Sequence, residues 1–238
     1  MPKPGEIWMV QRDISELVPS FLLNLNQFSE PARHFIQGNG PSRYVMIVGD
    51  VRLLSEYSMV AKLNAPMPEG ELQPCSQDDF SCALMNQYWV SAMVFGHEQN
   101  GIHLDDQYGG ETTEPLSNVD VWLPACVSGL SHNVIAETWH IVPMLVNQLL
   151  GPVGHRCSST LYSYLMDIGD AACDQDCTPV DNRLSLNHLQ CFHQAEQQWS
   201  EVLRFPITAC HMQLETLNQM TSIMERAIWL ERLSLRDG

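Results

Sequence analysis

Positive charge is what this chain has least of. Twelve Lys and Arg stand against 28 Asp and Glu, a formal net charge of −16 over 238 residues. No Lys or Arg occurs between Lys62 and Arg156. A field of that sign repels phosphate backbones within a Debye length of about 8 Å at physiological salt. It disfavours nonspecific nucleic-acid binding and docking on anionic lipid, so neither RNA nor a membrane is an expected partner. Long apolar runs are also missing: no window approaches the ~18 apolar residues of a membrane span. The opening Met1-Pro2-Lys3-Pro4-Gly5-Glu6 lacks the apolar core of a secretory signal, and a cytoplasmic protein is expected. Gly151-Pro152-Val153-Gly154-His155-Arg156 lacks the Lys-Ser/Thr of a phosphate loop, and there is no Gly-x-Ser-x-Gly elbow.

Eight cysteines are present: Cys75, Cys82, Cys126, Cys157, Cys173, Cys177, Cys191 and Cys210. In a chain of this length without a secretory signal, reduced thiols are expected rather than a disulfide framework. Hydrophobic residues make up 45%, enough for one sizeable core or a core with a satellite. Residues 6–10, 43–48, 88–95 and 119–124 read as strands. Residues 134–142 are β-prone and closed by Pro143, with a helix-like segment at 144–150. Residues 14–28 carry apolar positions at helical spacing, and 159–168 reads as a helix with Gly169 as its terminating glycine. Two turn-rich, acidic excursions, residues 64–87 and 96–118, read as surface loops.

The tail differs in character. Leu186, Leu189, Phe192, Ala195, Trp199 and Leu203 recur three or four residues apart, and a second apolar stripe runs from Met212 to Leu235. Pro206 between them is expected to break the helix. The pattern predicts helices over 179–204 and 207–235, joined as a hairpin and anchored by Trp199 and Trp229. The chain divides into a β-rich domain over 1–170 and a helical extension over 171–238. Val10, Val45, Ile47, Val90, Val121, Leu123, Ile135 and Leu165 are the expected core.

Five pieces of the first domain form an ordered set. They are Pro4-Gly5-Glu6-Ile7-Trp8-Met9-Val10; Ser42-Arg43-Tyr44-Val45-Met46-Ile47-Val48; Val119-Asp120-Val121-Trp122-Leu123-Pro124-Ala125 with Ser128-Gly129-Leu130; Val134-Ile135-Ala136-Glu137-Thr138-Trp139-His140-Ile141-Val142; and the helix at 159–168. The set resembles the PemK/MazF toxin family over discontinuous pieces of residues 4–170. The resemblance implies a mainly β fold with added α: an SH3-like barrel with insertions, commonly a homodimer, here followed by the helical hairpin. It also implies metal-free cleavage of single-stranded RNA by an Arg and a Ser or Thr acting at the scissile phosphate and 2′-hydroxyl.

Arg43 matches the family Arg, but the Pro that usually follows it is Tyr44. The Ser or Thr expected at the end of the third strand is Val94, with Ser91 three positions early. The Arg of the family's Glu-Gln-Ile-Arg-Thr strand is His140. Arg43 and His140 are therefore the catalytic candidates if the chain is an endoribonuclease, one as phosphate clamp and the other as acid or base. The plainer alternative pairs Arg43 with a carboxylate and uses His140 as an internal hydrogen-bonding group. With the nuclease pattern incomplete and the charge acidic, the chain reads as a non-catalytic interaction or regulatory module of toxin–antitoxin type, with an unidentified protein partner. A third idea is a toxin whose acidic loops or tail helices cover its own RNA groove.

Two further groups of side chains include possible metal ligands. Cys173, Cys177, His188, Cys191 and His193 have a metal-site flavour, but the spacing is not a standard zinc pattern, and on one helix Cys191 and His193 point apart. Reduced cysteines flanking a helix start explain them as well. His97, His103, Glu98, Asp105 and Asp106 offer divalent-cation ligands in a loop, where solvated charge is the common explanation. No cofactor and no metal ion is expected.

Overall fold

In the computed structural model, residues 1–18, 23–39, 42–57, 87–96, 112–171, 177–180 and 185–234 are described, without the side chains of 217, 218 and 225–234. Most of the two acidic excursions, the loop histidines at 97 and 103, Cys173 and the Trp229 side chain thus lie outside the described residues. The strands are β1 (Ile7–Val10), β2 (Tyr44–Ile47), β3 (Arg52–Leu53), β4 (Tyr88–Gly96), β5 (Glu114–Pro115), β6 (Asp120–Leu123), β7 (Val134–Leu145) and β8 (Leu149–Pro152). The helices are α1 (Glu30–Ile36), the single turn α2 (Ala125–Ser128), α3 (Ser159–Ala171) and α4 (Leu186–Ser234).

The fold is mixed α and β, built on one antiparallel sheet of eight strands in the order β5-β6-β7-β4-β2-β1-β8, with β3 also on β4. Among the described residues no pairing closes the sheet, and β5 and β8 are its edges. Both faces are covered, which is why its strands read as apolar runs rather than clean alternations. On one face Ile7, Met46, Met93, Phe95, Val121 and Leu123 pack with Leu165 of α3. On the other, Val10, Val45, Ile47, Val90, Val94 and Val142 pack with Leu203 of α4. All eight residues expected in the core are buried. They divide between the two faces and a third cluster, where Ile135 meets Leu189 and Phe192 of α4.

Several local expectations are corrected. β7 runs through Pro143, which pairs with Ser91. The register of β7 with β6 ends at Glu137, and among the described residues no strand pairs with that edge at Pro143, so a proline whose missing N–H falls there removes no ladder bond. Residues 144–150 are the end of β7, a 3-10 turn (Val146–Gln148) and the start of β8, not a helix. Among the described residues of 14–28 there is no α-helix: 15–18 are turns and bends, Leu25–Gln27 is a 3-10 turn, and α1, with Pro31 in its first turn, begins beyond it. Gly169 lies inside α3: a Cβ there would come within 2.8 Å of the Thr138 carbonyl, so it allows the helix to approach β7 rather than ending it.

The tail is one helix, not a hairpin: α4 continues through Pro206. An interior proline removes one hydrogen bond and costs about 3 kcal/mol. Pro206 sits where α4 is most deeply buried, between Val202, Leu203 and Phe205 on one side and Ile207, Ala209 and Cys210 on the other. Each large apolar side chain buried there contributes about 1.5–3 kcal/mol, which outweighs the break. Gln148 Nε2, from the 3-10 turn between β7 and β8, also donates to the Leu203 carbonyl at 3.0 Å, in a stretch of helix that is one N–H short. The Phe28 and Phe205 rings, and those of Phe35 and Trp199, meet edge-to-face at 5.1 and 5.0 Å, locking the N-terminal turns and α1 onto α4.

Candidate functional site

A bulge in β7 organises the polar interior. β7 takes five steps from Ala136 to Ile141 while β4 takes two from Met93 to Phe95. The three surplus residues of β7 fall within 137–140. In a regular strand, positions three apart point to opposite faces. The bulge re-aims them, and Glu137 Oε2 and His140 Nδ1 meet at 2.6 Å, both side chains buried. Thr138 pins the distortion, donating through its N–H (3.0 Å) and Oγ1 (2.8 Å) to the Val119 carbonyl. Gly96 makes the floor: a Cβ there would lie 2.5 Å from Glu137 Oε1 and 2.6 Å from Phe192 Cζ.

Arg43, immediately before β2, enters the same interior. Its Nη1 donates to Glu196 Oε2 of α4 at 2.7 Å, and both side chains are almost wholly buried, at 2% and 0% exposure. The Trp199 ring, one helical turn further along α4, lies 4.4 Å from the guanidinium carbon. Arg43 Nε and Nη2 have no partner among the described residues.

Electrostatics follow from burial. Burial, then the neighbouring carboxylates Glu196 and Asp120, hold the Glu137 proton on well above the usual carboxylate range, against the opposing pull of Arg43. Burial, reinforced by the positive Arg204, Arg43 and His193, pushes His140 down to about 3. Burial thus acts against the charged form of both partners in the short Glu137–His140 contact. The His140 ring stacks on Trp139 at 4.6 Å and 12°.

A second group of side chains borders this interior. Asp120, at the start of β6, is fully buried. Its Oδ2 accepts from Ser117 Oγ at 2.6 Å and from His193 Nε2 of α4 at 2.8 Å, and its Oδ1 accepts from Trp139 Nε1 at 3.1 Å. Burial pushes His193 down, but hydrogen bonds to Asp120 and Cys177 outweigh it and hold the imidazole at about 9. One ligand atom from each of Asp120, Cys177 and His193 lies within 4.8 Å of the others. Cys177 is held near by backbone bonds from the residues after it, Asn118 N–H to the Thr178 carbonyl (3.1 Å) and Val180 N–H to the Leu116 carbonyl (3.1 Å).

Arg43 and His140 are thus brought into one buried cluster, not an open groove. Of the cysteine–histidine constellation, Cys177 and His193 come together, while His188 and Cys191 are exposed on α4. No disulfide joins the described cysteines. Sequence reasoning missed Glu137, Glu196 and Asp120. The signal for Glu196 was present: it falls on the seam Leu189-Phe192-Glu196-Trp199-Leu203, spaced three and four apart, where an acid must be buried. Glu137 likewise interrupts an otherwise β-prone run. Asp120 carried no such mark. No helix among the described residues is long and apolar enough to cross a membrane. No family model matches the chain, and no curated protein matches it.

Proposed function

We propose that the chain is a divergent PemK/MazF-like protein that serves as a non-catalytic interaction or regulatory module, with a protein partner or a second copy of itself as the binding target. The order β1, β2, β6, β7, α3 supports kinship with the SH3-like barrel, since each matching sequence piece forms the kind of element the resemblance implies. The observation that carries the loss of catalysis is the state of Arg43: its charge is already paired with Glu196, its face is covered by Trp199, and it is only 2% exposed. A phosphate clamp in that position has nothing to clamp. His140, held near 3, is far from the neutral pKa that suits general acid–base work.

A second reading is favoured by one detail. Both groups that close over Arg43 come from α4, so the helix could act as a cis inhibitor of a divergent endoribonuclease, much as an antitoxin segment fills a toxin groove. Incubation of single-stranded RNA with the intact protein and with a Glu196→Gln/Trp199→Ala variant, its fold checked by circular dichroism, separates the two. The module reading expects intact RNA in both. Cleavage by the variant alone selects the cis-inhibited enzyme, and cleavage by the intact protein that Arg43→Ala abolishes overturns the module.

A further inference from the structure

We propose that Asp120, Cys177 and His193 form a binding site for a zinc ion, with a fourth position open to water. The argument begins with the donors. A thiol, an imidazole and a carboxylate are brought within 4.8 Å of one another from three separately anchored places: the start of β6, the segment clamped to residues 116–118, and the second turn of α4. A thiolate–imidazole–carboxylate set suits zinc, whereas calcium and magnesium require shells of oxygen.

The surroundings are those of a supported site. Ser117 Oγ and Trp139 Nε1 each donate to a different oxygen of Asp120, fixing the carboxylate plane, and such outer hydrogen bonds orient metal ligands. Ser117 is itself fixed, accepting from the N–H groups of Val119 (3.0 Å) and Asp120 (2.9 Å). His193 leans on Trp139 with ring centroids 4.6 Å apart. Asp120 Oδ2 and His193 Nε2 are 2.8 Å apart as a hydrogen bond. Tetrahedral ligands about 2.0 Å from zinc stand about 3.3 Å apart, so this pair must part by about half an ångström, within reach of a partly exposed histidine, and the Cys177 sulfur must close in on both. Cys177 and His193 are both half-buried, leaving the solvent side for the fourth ligand. Three protein ligands with one open position is the arrangement of reactive rather than purely structural zinc.

The test uses the full-length chain, stripped with chelator and reduced, with cobalt(II) as the spectroscopic probe and zinc as competitor. The expected result is one equivalent of cobalt, with a thiolate-to-cobalt charge-transfer band that zinc displaces. Cys177→Ser and His193→Gln should lose the band, and Cys191→Ser and His188→Gln should keep it. Ser117→Ala should weaken zinc about ten- to a hundredfold. Zinc should also slow alkylation of Cys177 while the exposed Cys126 and Cys191 react unchanged, a measurement on the native chain that does not depend on any variant folding. Absence of the band, its persistence in Cys177→Ser, or alkylation of Cys177 that zinc does not slow would each overturn the site.

Discussion

Arg43 and Glu196 lie 2.7 Å apart with almost no solvent at either end. A buried pair of this kind gives little net stability, because desolvation offsets the attraction. Removing one partner is another matter: Glu196→Ala takes away the carboxylate that Arg43 is hydrogen-bonded to and leaves its guanidinium buried, and should lower stability by about 3–5 kcal/mol in urea denaturation. The double variant Arg43→Met/Glu196→Leu, which removes both charges, should lie much nearer the native chain. A double variant as unstable as Glu196→Ala would refute this account. His140 supplies a pH dependence of definite sign. Its folded value, about 3, lies below the ordinary 6.5, so between these values the unfolded chain binds the proton and the folded chain does not. Its contribution therefore falls as pH drops from 6.5 towards 3. Glu137, raised above 4.5 by burial, acts in the opposite sense, favouring the fold at low pH and losing that effect as pH rises through its folded value. Arg43, Arg204 and His193 also act on His140. The discriminating measurement is thus the difference between native protein and His140→Gln across pH 4–7. The variant should lose less stability on acidification, and parallel curves would rule out His140 as the acid-sensitive group.

At the scale of elements, the bulge in β7 and the bare backbone of Gly96 are two halves of one device. The bulge turns Glu137 inward, and the missing Cβ at Gly96 leaves room for Glu137 Oε1 and the Phe192 ring. Gly96→Ala must displace one of them, and a cost of about 1–3 kcal/mol is expected from overpacking. Gly151→Ala is the control: nothing lies within 4 Å of its added methyl, and a change within about 0.5 kcal/mol is expected. Equal melting temperatures for the two variants would show that the site tolerates a displaced Glu137. The strands β1, β2, β4, β6 and β7 were legible because their apolar runs are bounded by Gly, Pro and Asp. The bulge was not, because pairing register depends on the partner strand and leaves no local mark. β3 and β5, each two residues long, carry too little pattern to be seen. Pro206 misled for the reverse reason. Its local preference is strong, but it was overridden by burial of the surrounding turns, a tertiary effect no window of sequence contains.

Across the whole molecule, α4 behaves as part of the interior for about its first thirty residues. Leu189 and Phe192 fill the cluster beneath Trp122 and Ile135, Leu203 closes one face of the sheet, Trp199, Val202, Phe205 and Ala209 carry α1, and Ile207 and Cys210 cover Leu54, Tyr57 and Leu145. His211 Nε2 adds a 2.9 Å hydrogen bond to the Tyr57 carbonyl. Beyond Glu215 the character changes, with Gln219 and residues 221–224 exposed, Ile223 at 65% and Met224 at 52%. The division of the chain at residue 170 suggested a tail that could be removed from a finished domain. The packing leads to a different expectation. Deleting residues 185–238 would uncover apolar surface over both the sheet and α1 and strip Arg43 of both Glu196 and Trp199. At about 25 cal/mol per Å² of apolar surface, several side chains of this size equal the 5–15 kcal/mol that hold a typical domain together. That truncation should aggregate or show no cooperative melting. Deleting only residues 219–238 removes turns whose described side chains are mostly exposed, and should shift the melting temperature by no more than a few degrees. A protein lacking residues 185–238 that melts cooperatively, near the native temperature, would show that the sheet and α3 are stable alone, and that α4 is an attachment rather than a wall of the core.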